Sequence, residues 1–204
     1  MEDGPKIYHN RSVHVDDTAL TQYLTFRLLD AFPPGWDAKA GLPANAKPRE
    51  VRRAYEDCLD RGHGDCLLRE PQVAETMEGI LRHFDGERYE LYAWVVMPNH
   101  VHALAKPLPG YPLGKIVQGW KGFGAHEINR LLERTGALWQ PDYFDRFIRH
   151  EKHFGAAIAR IHLDPVRAGL VSIPEEYPWS SARVWAADES PYFGRVREEA
   201  VVSG

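Results

Sequence analysis

The chain has little cysteine. Cys58 and Cys66 are the only two in 204 residues. Two thiols make no disulfide framework, which excludes a small disulfide-stapled secreted scaffold and leads us to expect reduced thiols and a cytoplasmic location. Long apolar runs are also missing: no stretch approaches the roughly 18 residues of a spanning helix, so no membrane is expected as a partner. The opening MEDGPKIYHNRS lacks the apolar centre of a signal peptide. No internal repeat or low-complexity tract is visible. Net basicity is missing as well, with 25 Lys+Arg against 29 Asp+Glu and a net charge of −4. That counts mildly against a nucleic-acid binder. What remains is ordinary: 44% apolar and 26% charged residues, the composition of one folded domain rather than a disordered, collagenous or coiled-coil chain.

Charge is unevenly spread. Residues 1–105 hold 12 Lys+Arg against 17 Asp+Glu, residues 106–170 hold 10 against 6, and residues 171–204 hold 3 against 6. A basic third inside an acidic whole is either a solvated face or a phosphate-binding surface.

Local patterns predict the elements. Residues 1–19 read as an irregular N-terminal arm. Tyr23 to Leu28 is rich in strand formers. Residues 30–48 carry several prolines and glycines and read as loop, opening an insertion over 30–70. Helical spacing appears over Pro48–Asp60 and Glu70–Phe84. YELYAWVVM, from Tyr89 to Met97, reads as a buried central strand. HVHALAK, from His100 to Lys106, reads as the next strand, joined through a short Pro-Asn step that suits a hairpin. A long amphipathic helix is expected over Leu113–Arg134, with Ile116, Trp120, Phe123, Ile128, Leu131 and Leu132 as its stripe. A second is expected from about Tyr143 to Leu163, closed by Asp164-Pro165. Residues 173–204 read as a C-terminal extension, aromatic-anchored to about Trp185 and frayed beyond it. The order predicts an α+β fold over residues 20–172, a ferredoxin-like antiparallel sheet with helices packed on one face.

His100-Val101-His102 is the chemical focus. Residues i and i+2 of a strand point to one face, so the two imidazoles project side by side and can chelate one divalent ion. Asp164 is the candidate third ligand. Elsewhere, His162 reads as a packing or surface residue, and His150 and His153 as part of a charged surface run.

Blocks along the chain resemble a known family. Tyr23-Leu-Thr-Phe-Arg27, Ala93-Trp-Val-Val-Met-Pro-Asn-His100-Val-His102, Leu138-Trp139-Gln140, Tyr143-Phe-Asp145, Asp164-Pro165-Val166-Arg167-Ala168-Gly169-Leu170 and Pro178-Trp179-Ser180-Ser181-Ala182 occur in order. They resemble the REP-associated tyrosine transposases, domesticated relatives of single-tyrosine HUH transposases. The resemblance implies binding of single-stranded or hairpin DNA from palindromic repeats. It implies a divalent metal, Mg²⁺ or Mn²⁺, on His100 and His102. It also implies nicking and strand transfer through a phosphotyrosine formed by a tyrosine on a late helix.

The chain departs from that pattern at the nucleophile. The family's Tyr-Ile-x-x-Asn-Pro run corresponds here to Arg160-Ile161-His162-Leu163-Asp164-Pro165, so Arg160 occupies the tyrosine position. A guanidinium offers only donors and cannot attack phosphorus. Three accounts stay open: DNA binding without cleavage, attack by another tyrosine with Tyr143 the best substitute, or a metal-dependent phosphodiesterase using activated water. Candidate DNA contacts are Lys115, Lys121, Trp139, Gln140, Arg146, Arg149 and Arg167. The tryptophan is expected to stack on a base and the cations to hold phosphates. A monomer or homodimer is expected.

Overall fold

Apolar residues alternate along three adjacent strands, and the fold follows from where the two alternating sets are covered. The computed structural model describes residues 6–10, 12–16 and 20–187. Of the segment expected to fray beyond Trp185, residues 188–204 lie outside the described residues. Strands β1 (Lys6–Asn10) and β2 (Ser12–Asp16) pair as an antiparallel hairpin. The expectation of an irregular arm therefore does not hold there.

The main sheet contains β3 (Gln22–Arg27), β4 (Tyr89–Val96), β5 (His100–Pro107) and β6 (Phe144–Phe147), in the order β4-β5-β3-β6 with every pairing antiparallel. With helices α1 (Pro48–Asp60) and α2 (Pro71–Arg82) between β3 and β4, and α3 (Leu113–Leu131) between β5 and β6, this is ferredoxin-like connectivity. The expected α+β class holds.

One layer is formed by Leu24, Phe26, Leu91, Trp94, Val96, Val101 and Ala103 against Met77 and Leu81 of α2 and Ile116 and Trp120 of α3. A bulge at Tyr92, where the register steps from Leu91 to Ala93, lets Leu91 and Trp94 face the same layer. Each fully buried aliphatic of this kind contributes about 1.5–3 kcal/mol from burial.

The arrangement of helices differs from the expectation in one respect. Helix α4 (Glu151–Arg167) lies on the opposite face, where Ala157, Ile158 and Ile161 pack against Tyr23, Ala93, Val95 and Leu104. Helices therefore cover both faces.

Two boundaries also change. Residues 144–147 form a strand, not the start of a helix: Phe144 and Phe147 fit a helical spacing as well as a strand, and pairing with residues 22–25 of β3 decides. Pro165 does not close α4, which continues to Arg167 with the proline inside it. The stripe of α3 is narrower than expected, since Phe123 is exposed and Leu131 borders on exposure, while Val117 and Gly124 are buried.

The insertion is tied to the β4–β5 turn. Leu68 N–H donates to Pro98 O at 3.1 Å, and Asn99 Nδ2 donates to His63 O at 3.1 Å. Gly64 permits this approach: it has φ +84°, and a Cβ there would sit 2.6 Å from Asp30. Past α4, the chain returns to the free edge of β4. Val96 N–H donates to Trp179 O at 2.9 Å and Ser181 N–H to Trp94 O at 3.0 Å. Helix α5 (Ala182–Ala186) follows.

Candidate metal centre and nucleic-acid interface

Strand alternation places His100 and His102 on the α4 side of β5, while Val101 turns into the other layer. Both imidazoles are buried, 0% and 2% exposed, with ring centroids 4.6 Å apart. Across the ladder, Arg27 is the register partner of His100 and Thr25 that of His102. Asp164 reaches the pair from α4. Its Oδ2 lies 3.4 Å from His102 Nε2, and its Oδ1 accepts from Arg167 Nη1 at 3.1 Å. Asp164 is thus brought beside His102, and His102 beside His100.

Neighbours orient each ring. Asn99 Nδ2 is spent on the His63 carbonyl, so its Oδ1 faces His100 Nδ1 at 2.7 Å and accepts from it. That leaves the lone pair on His100 Nε2, which is buried and has no hydrogen-bond partner among the described residues. His102 Nδ1 lies 2.7 Å from Thr25 Oγ1 and 3.0 Å from the Tyr23 hydroxyl. Asp164 Oδ2 likewise has no hydrogen-bond partner.

Two inward imidazole nitrogens and one carboxylate oxygen are a donor set suited to a divalent ion. The side chains present fit the group chemically, although no three His, Cys, Asp or Glu among the described residues are already spaced as a complete shell.

Burial dominates the electrostatics. It pushes the His100 imidazolium down to about 3, with Arg160 adding to the effect, and lowers His102 well below the usual range, where His100 and Arg160 add to it. Burial raises the Asp164 carboxyl to about 7 against the opposing pull of Arg160 and Arg167. In the metal-free protein near neutral pH the pair is uncharged.

Arg160 faces this centre, as expected from its four-residue spacing to Asp164. Its Nη2 lies 2.8 Å from Glu56 Oε2 on α1. Burial disfavours the guanidinium's charge, but Tyr23, Glu56 and Asp164 outweigh burial and hold it protonated. Asp60, one turn beyond Glu56, is pushed up to about 6 by burial, against the opposing pull of Arg160. The insertion thus lays the Arg52, Glu56 and Asp60 face of α1 beside α4.

Tyr23, Thr25, Asn99, Glu56 and Asp60 were not read from the sequence. The i, i+2 alternation of β3 could have suggested Tyr23 and Thr25. Nothing local pointed to α1.

Tyr143 does not reach the histidines. It packs with the layer of α2 and α3, on the opposite face of the sheet. The nearest phenol is that of Tyr23, which is buried, and burial raises its pKa further from use as a nucleophile.

The expected DNA contacts divide. Trp139 does not present a stacking face: it is buried, edge-on to Phe26 at 5.0 Å. Lys121 is held by the connector, donating to the carbonyls of Gln140 at 2.8 Å and Pro141 at 2.6 Å. Gln140 in turn donates from Nε2 to Leu29 O. These three residues fix a connector beside a groove of about 820 Å³ whose rim carries exposed Lys115. Arg167 is half-exposed and engaged by Asp164. Arg146 and Arg149 lie at the end of β6, away from that groove. His162 packs, with Nε2 2.9 Å from Ser181 Oγ, and His150 is the N-cap of α4, accepting from His153 N–H at 3.2 Å.

No helix among the described residues is long and apolar enough to cross a membrane.

Comparison with known proteins was made against this geometry. The family model described as "Transposase IS200 like" matches residues 67–153, which include both histidines. A REP-associated tyrosine transposase of Escherichia coli (strain K12) is 26% identical over 123 residues, spanning 55% of this chain and 69% of that protein. The solved structure of a REP-associated tyrosine transposase bound to a REP hairpin superposes with a TM-score of 0.57 at 16% identity, covering 90% of this chain and 87% of that one. At that identity the likeness is one of fold.

Proposed function

We propose that the chain, which is similar to the REP-associated tyrosine transposases, acts as one of their kind in binding single-stranded or hairpin DNA of palindromic repeats and has lost strand cleavage. The observation that carries the loss is the ion pair between Arg160 and Glu56 at 2.8 Å. The side chain at the position that resembles the family's nucleophile is a donor-only cation, already engaged, above two imidazoles that are 0% and 2% exposed. Tyr143 lies on the far face of the sheet and Tyr23 is sealed beneath α4. Among the described residues, no phenol is therefore both near the histidines and open to a phosphate.

His100, His102 and Asp164 would hold a divalent ion. When bound, the ion would supply a positive charge able to polarise a phosphoryl oxygen. The chain's own residues do the positioning. Asn99 fixes the tautomer of His100. Thr25 and Tyr23 orient His102. Arg167 holds one carboxylate oxygen of Asp164 and leaves the other facing the imidazoles. DNA binding draws support from the basic third of the chain, 10 Lys+Arg against 6 Asp+Glu over 106–170, whose cations neutralise backbone phosphates.

The test uses labelled hairpins carrying a 5′ single-stranded overhang, with Mn²⁺. A gel shift that weakens as salt rises is expected, and a denaturing gel is expected to show no protein–DNA adduct. A covalent adduct would overturn the loss of cleavage. Absence of any salt-sensitive shift would overturn DNA binding. Adduct-free cutting would instead favour the phosphodiesterase reading.

A further inference from the structure

A second polar site lies where the end of β6 and the first turns of α4 approach α1. Arg52, Arg146, Arg149, Lys152, His150 and His153 line an open pocket of about 510 Å³. No aspartate or glutamate among the described residues lines it, Glu151 of the same turn included. The carboxylate that faces Arg52 is already committed. Glu56 lies 3.9 Å from Arg52 Nε but 2.8 Å from Arg160. Arg146 donates to the Nε2 of His153, a neutral imidazole, rather than to a carboxylate. Arg149 rests over the Phe147 ring at 5.1 Å, with its guanidinium at the exposed rim.

The repulsion inside the cluster shows in its titration. Burial lowers the proton affinity of Arg146, with Arg52, Arg149 and Arg160 adding to it and Glu56 opposing. Burial, then Arg146, His150, Arg149 and Arg52, lower that of His153. Like charges gathered in a concave site without counter-charges raise the local concentration of anions. Guanidiniums offer paired donors that match phosphate oxygens. The N-terminal end of the 17-residue α4 adds positive potential on the same side.

We propose that this pocket is a phosphate-binding site and, resting on the DNA-binding reading above, that it takes backbone phosphates of the bound DNA. Arg52 comes from the 30–70 insertion, so the insertion supplies part of the DNA-binding surface as well as Glu56.

The test compares the full chain with the triple variant Arg52→Gln, Arg149→Gln, Lys152→Gln. Arg146 is left in place because it supports His153. Binding of a fluorescein-labelled hairpin is followed by anisotropy across a salt series. Losing each phosphate contact lowers the slope of log affinity against log salt by about 1, so the folded variant should bind more weakly and with a slope smaller by about 2 to 3. Unchanged affinity and slope would overturn the pocket while leaving the DNA reading intact. Should the triple variant unfold, Lys152→Glu alone is measured under the same criterion.

A second arm uses inorganic pyrophosphate without DNA, following the ring resonances of His150 and His153. Shifts in the wild type that are absent from the variant would keep the phosphate site even if no hairpin bound, and the DNA source would then fall. No shift and no hairpin binding would sink both.

Discussion

The histidine centre and the basic pocket are both built on α4 and α1, and they resolve charge in opposite ways. Around the histidines the two cations of α4 each meet an anion: Arg160 with Glu56, Arg167 with Asp164. The imidazoles are uncharged and out of reach of water. At the pocket a few residues away, Arg146, Arg149 and Lys152 meet imidazole, an aromatic ring and solvent instead. Cations satisfied internally stabilise a fold but leave nothing for an anionic ligand. Charges without counter-charges slightly strain the fold and attract anions. The contrast fits a stabilising role for the charges around the histidines and the proposed anion-binding role for the neighbouring surface.

Substitutions can break or sharpen that contrast. The largest effect is expected for Arg160→Met, which leaves the half-sequestered Glu56 carboxylate without its partner. Urea unfolding should show a loss of about 2 kcal/mol, below the 3–5 kcal/mol typical of fully buried pairs because Arg160 retains some exposure. The double variant Glu56→Leu, Arg160→Met should recover part of the loss. A neutral result for Arg160→Met would erase the distinction between the two regions.

The next effect is on pH dependence in chelator-treated protein. The folded-state pKa of His100 is depressed to about 3, so the unfolded chain takes the proton first. The resulting contribution is fully present above the unfolded value near 6.5 and is lost as pH falls toward 3. Relative to His100→Asn, the wild type should therefore lose melting temperature on acidification across that window. Asp164 has the opposite sign. Its pKa is raised to about 7, so its contribution is present below the unfolded carboxyl range and is lost as pH rises through 7. Relative to Asp164→Asn, the wild type should lose stability from about pH 4 to about pH 7. Parallel pH profiles for wild type and both variants would contradict the buried placement.

Mn²⁺ tests the donor set directly. A rise in melting temperature with metal concentration is expected for the wild type and not for His102→Ala, following mass action on the folded state. The smallest effect is expected at the pocket: Arg149→Gln and Lys152→Gln should each change folding stability by no more than about 0.5 kcal/mol. A substantial loss there would mean that the pocket's charges hold the fold together.

Much of the sheet was legible because period-2 alternation and turn residues act locally. Tyr89 to Met97, the Pro98-Asn99 turn and the same-face histidines all follow from it. The limits of α1 were legible because Pro48 at its start and the Gly62-containing break at its end are local signals. The strand at 144–147 was not, since four residues are too few to separate the two periods and only the edge of β3 selects one. Trp139 read as a stacking surface because its burial depends on Phe26, far away in the sequence.

By itself the sequence determined the α+β class, the histidine pair on one face and the spacing of Arg160 four residues before Asp164. Each is a property of residue type and short spacing. Only the tertiary structure decided that α4 covers the second face of the sheet, that Glu56 neutralises Arg160, and that Arg52 joins Arg146 and Arg149. Those outcomes join residues about a hundred positions apart in the chain, and no local pattern encodes which distant charges will meet.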